Sequence, residues 1–159
     1  MYYAYIPTKV GTLLFIGDGK TLHGVHWQVF KRSPKPQPNW TEDASKFFTV
    51  VAELNEYLAG KRTTFDVPYI LHGTPFQKSV WQELQKIPYG ATTSYQKIAT
   101  AIGNPKAVRA VGTAIGSNPM CIIVPCHRVL GSDNTLNGFA GGLEAKRQLL
   151  GIEHITYKA

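Results

Sequence analysis

The stretch TSYQKIATAIGNPKAVRAVGTAIG, residues 93–116, decides how the C-terminal half folds. Thr93-Ser94-Tyr95-Gln96 has the form of a capping box, a hydroxyl followed three residues later by a side chain able to reach back, and predicts a helix to about Ile102. Gly103 turns the chain, and Asn104-Pro105 starts another helix. Helix, glycine turn, helix is the outline of a helix-turn-helix, though many helical hairpins share it. The second helix says more. Val108, Val111 and Ile115 form a core face, and the next face reads Arg109, Gly112, Thr113, Gly116. A glycine inside a helix costs about 1 kcal/mol relative to alanine. Two on one face imply either tight packing against another element or a shaved surface onto which something bulky docks. An arginine beside that surface suits a DNA groove.

Upstream, Thr74-Pro75-Phe76-Gln77 supplies an N-cap, a proline at the first helical position and a capping glutamine. Phe76, Val80, Trp81, Leu84 and Ile87 then make a core stripe. The first part of the chain is β-rich. Tyr2–Ile6, Thr12–Ile16 and Leu22–Trp27 read as three strands of an antiparallel meander, with turns at Lys9-Val10-Gly11 and Gly17-Asp18-Gly19. Pro34, Pro36 and Pro38 make residues 31–39 an extended surface loop. Thr41 is expected to cap a helix carrying Phe47, Val50, Val51, Leu54 and Leu58, closed by Gly60, and Phe65–Leu71 reads as a further strand. The expected class is α+β: an N-terminal antiparallel β-sheet domain with a helix, residues 1–73, and a mostly helical domain with a helix-turn-helix, residues 74–159.

Charge is unevenly divided. Of the formal +7, residues 1–73 carry +2 and residues 74–159 carry +5. A basic C-terminal half suits a polyanion, although a basic surface also serves solubility alone. No apolar run approaches the roughly 20 residues of a membrane span, and the start lacks the layout of a secretory signal. Two cysteines five residues apart make neither a disulfide framework nor a zinc pattern, so no metal is expected. The chain reads as a cytoplasmic protein from a reducing compartment.

Ile122-Ile123-Val124 is expected to be a buried strand leading into Pro125-Cys126-His127-Arg128-Val129. A thiol is a useful nucleophile only as thiolate, and an adjacent imidazole can take its proton. An acid must then orient the imidazole; Asp133, Glu144 and Glu153 are available downstream. Alone, a Cys-His pair is more often a buried thiol beside a satisfied ring.

Val124-Pro125-Cys126-His127-Arg128-Val129 resembles the signature of the O6-alkylguanine-DNA alkyltransferases. It follows Asn104-Pro105-Lys106-Ala107-Val108-Arg109-Ala110-Val111-Gly112 and Ser117-Asn118-Pro119, and precedes Gly141-Gly142, Leu149-Leu150 and Glu153. The resemblance covers residues 76–153, about half the chain, and the β-rich half is similar in layout. It implies that Cys126 accepts an alkyl group from O6 of guanine and that His127 activates it. Glu153 would orient His127 through a water molecule, and Asn118 would brace the turn before the active-site strand. Tyr95 would sit against the extruded base and help protonate it. Arg109 would enter the base stack, with Ala110, Gly112, Thr113 and Lys106 also at the DNA. Cys121, Val129, Phe139 and Ala140 would line the substrate pocket, while Arg128 would serve structure. The implied partner is double-stranded DNA bearing O6-alkylguanine, met by a monomer. A thioether has no good leaving group, so neither turnover nor a cofactor is implied.

Phe139 stands where members of that family often have tyrosine, Ala140 where some have serine, and Cys121 where a small residue or proline is usual. No cysteine precedes Cys121, so the zinc ligands of some relatives are not apparent. Three rivals are a silent relative that only flags lesions, a plain helix-turn-helix regulator and a cysteine hydrolase. The presence of Cys126 argues against the first.

Overall fold

A computed structural model describes residues 1–158. Strands β1 (Tyr2–Thr8), β2 (Gly11–Gly17), β3 (Leu22–Trp27) and β4 (Thr41–Glu42) form a sheet in the order β3-β2-β1-β4. The first three pair antiparallel as their alternation and turns dictate. Thr41 is not the expected helix cap. It pairs with Tyr2, so β4 adds a short parallel strand, and Asp43 instead caps a 3-10 turn, Ala44–Phe47, by accepting from Ser45 N. That turn leads into α1 (Phe48–Leu58), whose end at Gly60 has φ +75°.

Residues 65–71 are not the strand that their β-branched and aromatic content suggested. Pro68 cannot donate to a ladder, and the segment touches β3 through only two bonds, Leu22 N to Pro68 O and Ile70 N to Leu22 O. Glu53 of α1 takes up Asp66 N and Val67 N instead.

α2 (Pro75–Gln85) opens with the complete capping box of Thr74 and Gln77. β5 (Thr93–Ser94) precedes α3 (Tyr95–Ala101), which is capped one residue later than the sequence suggested. Ser94 accepts from Lys97 N, because Thr93 is paired with Val129 of β6 (Val129–Leu130). Gly103, at φ +81°, turns the chain. α4 (Val108–Gly116) starts three residues beyond Pro105, since Ala107 N bonds to Asn104 O in a turn first. α5 (Leu143–Ile152) closes the fold. No helix of the described residues is long and apolar enough to cross a membrane.

One buried cluster spans both halves of the chain, including Trp27, Tyr57, Trp81, Val111 and Leu149. Trp81 donates from Nε1 to Ala114 O at 2.9 Å, tying α2 to α4. The free edge of β3 is covered by residues 119–121: Val25 N bonds Pro119 O and Cys121 N bonds Val25 O. The run 122–124 that leaves this edge is a turn rather than the expected strand. Ile122 sits at φ +73° and Cys121 bridges to Val124, so the chain doubles back before Cys126. Apolar β-branched residues signal burial here, and Ile122 and Val124 are buried while Ile123 is half-buried.

Candidate active site

The doubled-back turn is held by one side chain. Asn118 donates from Nδ2 to Val124 O at 2.9 Å and accepts from Met120 N at 2.9 Å. Cys126–Arg128 then form a 3-10 turn, and all three side chains are buried.

Cys126 faces a cavity of about 190 Å³. Tyr95, Gly112, Asn118, Cys121, Phe139 and Ala140 share its lining, so these expected positions converge. Val129 does not: it is fully buried in the β5–β6 pair, and its backbone rather than its side chain serves the site. His26, Trp27, Phe30 and Arg32 also line the cavity, from the N-terminal half. Nothing in the local sequence marked them, because β3 reads as an ordinary strand and Arg32 as part of a solvated loop.

His127 is fully buried. Its Nε2 lies 2.7 Å from Glu153 Oε2, a direct contact that leaves no room for the water expected between them. Of the three candidate acids, Glu153 is the one in contact, placed as the C-cap residue of α5. Its carboxylate also accepts from Arg128 Nε (2.8 Å) and Nη2 (3.0 Å), from Gly90 N (3.0 Å) and from the Tyr57 hydroxyl. Burial pushes the Glu153 carboxyl up, but the hydrogen bonds from His127 and Arg128 outweigh it and hold the group at about 2. Burial keeps the His127 pKa below its ordinary value despite Glu153, so the ring is neutral at pH 7. With a carboxylate at Nε2, that nitrogen carries the proton and Nδ1 is left as an acceptor. Nδ1 is buried and has no hydrogen-bond partner among the described residues.

Three further groups act on the thiol. The neighbouring Cys121 holds Cys126 below the ordinary thiol range, against the upward push of burial and aided by Asn118 and Lys146. Cys121 itself is pushed up. Lys146 of α5 is almost wholly buried and donates to Val129 O (2.8 Å) and Asn137 O (3.3 Å). Burial lowers it to about 8, so it remains mostly cationic at neutral pH. Nothing in the local sequence marks it, since a lysine in an amphipathic helix ordinarily faces water. Tyr95 is half-buried, and burial raises its phenol so that it stays protonated.

Arg109, Ala110 and Thr113 of α4, and Lys106 before it, are exposed and form an outer surface beside the cavity. A Cβ added at Gly112 would meet only the Tyr95 ring, at 3.9 Å, and one at Gly116 only Arg32 Nη2, at 3.5 Å. These are ordinary contact distances, so packing within the protein does not require either glycine. Gly141 is different. A Cβ there would lie 2.5 Å from the Trp27 indole, and its absence lets the 137–142 segment close over the cavity.

Glu153 has its pKa depressed on folding, from about 4.3 to about 2. Its contribution to stability is therefore complete above the unfolded value and is lost as pH falls through the folded one. Glu153→Gln leaves the Arg128 charge buried without its partner, at a cost of about 3–5 kcal/mol near pH 7. Urea unfolding at a series of pH values should show the gap between wild type and variant narrowing steadily as pH falls from 5 toward 2. A gap independent of pH would contradict this.

The family description "6-O-methylguanine DNA methyltransferase, ribonuclease-like domain" matches residues 1–70, and "6-O-methylguanine DNA methyltransferase, DNA binding domain" matches residues 75–155. Over 158 residues the chain is 44% identical to the methylated-DNA–protein-cysteine methyltransferase of Haemophilus influenzae, covering 99% of this chain and 88% of that relative. It is 45% identical over 153 residues to the protein of the same name from Methanosarcina acetivorans, covering 96% and 98%. Among solved structures, Mycobacterium tuberculosis OGT in complex with DNA superposes with a TM-score of 0.90 at 44% identity, covering 96% of this chain and 92% of that one. With both halves matched and the fold shared, the chain belongs to the 6-O-methylguanine DNA methyltransferase family.

Proposed function

We propose that this chain repairs O6-alkylguanine in double-stranded DNA by direct reversal, carrying the alkyl group away on Cys126. The observation that carries the reading is a buried thiol with a lowered pKa, opening onto a cavity beside an exposed, shaved helix. The thiol gives its proton to His127 Nδ1, the one ring nitrogen left free to accept, while Glu153 keeps the other protonated. The thiolate attacks the alkyl carbon. A sulfur–carbon bond forms, the carbon–O6 bond breaks, and its electron pair stays on guanine, which takes a proton. Tyr95, kept protonated by burial and lining the same cavity, is placed to supply it. The thioether has no good leaving group, so each chain reacts once and needs no cofactor.

An alkylated O6 lies inside the duplex, so the base must be swung out before sulfur can reach it. The α4 surface meets the minor groove. Gly112 and Gly116 leave backbone open for close approach, Ala110 and Thr113 keep the surface low, and Lys106 reaches phosphate. Arg109 fills the gap left by the extruded base. Asn118 acts by holding the turn that carries Cys126, and Arg128 by pairing with Glu153. In this reading residues 74–159 bind DNA and accept the alkyl group, and residues 1–73 support them. The protein works as a monomer in the cytoplasm, on the nucleoid in a bacterium.

Duplex DNA carrying radiolabelled O6-methylguanine should label the protein to at most one methyl per chain, on the peptide containing Cys126. Continued turnover, or label on Cys121, would contradict the assignment. Arg109→Ala should slow transfer from duplex DNA by about tenfold or more, because unstacking costs a few kcal/mol, while leaving transfer from free O6-benzylguanine within about twofold. Equal loss on both substrates would remove the arginine from the stack.

A further inference from the structure

We infer that Tyr57, on α1 in the N-terminal half, is a positioning residue for the His127–Glu153 pair. Its side chain is fully buried, and its hydroxyl reaches both members. The oxygen lies 3.2 Å from His127 Nε2 and donates its proton to Glu153 Oε2, the same carboxylate oxygen that His127 contacts at 2.7 Å. Three polar atoms from α1, the 3-10 turn and the end of α5 therefore close one triangle. The ring is fixed from the sides by Phe65, at 5.5 Å, and by Tyr89, edge-on at 6.1 Å. Burial, with Glu153 adding to it, pushes the phenol pKa upward, so the hydroxyl stays protonated and must donate.

A phenol that donates to a carboxylate draws off part of its negative charge. Glu153 then pulls less strongly on the Nε2 proton, and Nδ1 stays less basic. Without the hydroxyl, Glu153 turns its full charge on His127, which takes a second proton at higher pH. The other charged groups acting on this ring are Glu153 at the end of α5, Arg128 on its own turn and Lys146 within α5. Tyr89, from the segment after α2, faces Tyr57 and Glu153. None of these is removed with the Tyr57 hydroxyl. The plain alternative is a core tyrosine whose hydroxyl merely finds a partner, which contributes to stability and nothing else. The geometry favours positioning, because the partner is the one oxygen that orients the imidazole. As a statement about alkyl transfer it rests on the reading proposed above.

The test uses the full chain with Tyr57→Phe, which keeps the ring and removes only the oxygen. The titration of His127 is followed by nitrogen-15 NMR, and transfer from O6-benzylguanine is measured against pH. Both the His127 midpoint and the acid limb of the transfer profile should move up by about half a pH unit or more, the scale of a hydrogen bond to a charged group passed partly to its neighbour. A lower melting temperature with both midpoints unmoved overturns the inference. In wild type, the Tyr57 hydroxyl proton should appear as a slowly exchanging low-field resonance with a cross-peak to the His127 ring. Its absence overturns the inference even if Tyr57→Phe fails to fold. A shifted His127 midpoint in a protein that transfers no alkyl group would instead sink the transfer reading and leave the positioning role standing.

Discussion

The Glu153 carboxylate is buried, yet it accepts hydrogen bonds from parts of the chain that are far apart in sequence. Tyr57 comes from α1, Gly90 from the segment after α2, and His127 and Arg128 from the 3-10 turn. A buried charge of this kind is costly unless each lone pair is met and an opposite charge lies beside it. Here Arg128 supplies the charge with a two-point contact, and its remaining nitrogen, Nη1, is taken up by Ile87 O at 2.7 Å. The final turn of α5 must dock for any of these bonds to form. The imidazole is therefore oriented only in the complete fold, with both halves of the chain in place.

The same contacts that secure the turn set the chemistry. Burial, with Arg128 offsetting part of the pull of Glu153, keeps His127 neutral, and its Nδ1 is left free. A second buried cation, Lys146, does double service. It ties the 137–142 segment to β6 through two carbonyls, and its charge favours the thiolate form of Cys126. The N-terminal sheet contributes an edge for the 119–121 segment and part of the cavity wall. Support in this fold is thus a matter of particular hydrogen bonds as well as packing.

Much of this was legible in the residues, and the misses have physical reasons. The Thr74–Gln77 capping box, the Gly103 turn and the three antiparallel strands are local signals, and local signals survive folding. Thr41 and Ile122–Val124 misled because caps, edge strands and buried turns draw on the same hydroxyl and β-branched residues. What settles them is a tertiary partner, Tyr2 for Thr41 and Asn118 for the turn. Glu153 stood out only through its family spacing, among three acids that the residues alone could not separate. Tyr57 and Lys146 were hidden because helical period assigns them to faces, and a face does not reveal which polar atom lies across it. The cavity residues His26, Phe30 and Arg32 depend on how the two halves meet, which no local pattern encodes.

The central claim is that Cys126, and not its neighbour Cys121, is the acceptor. Intact mass of the native protein before and after exposure to O6-benzylguanine tests it most directly. The account predicts a gain of one benzyl group per chain that saturates and maps to Cys126, and no gain once that residue is replaced by serine. An unchanged mass in the native protein, or a benzyl group on Cys121, would contradict it.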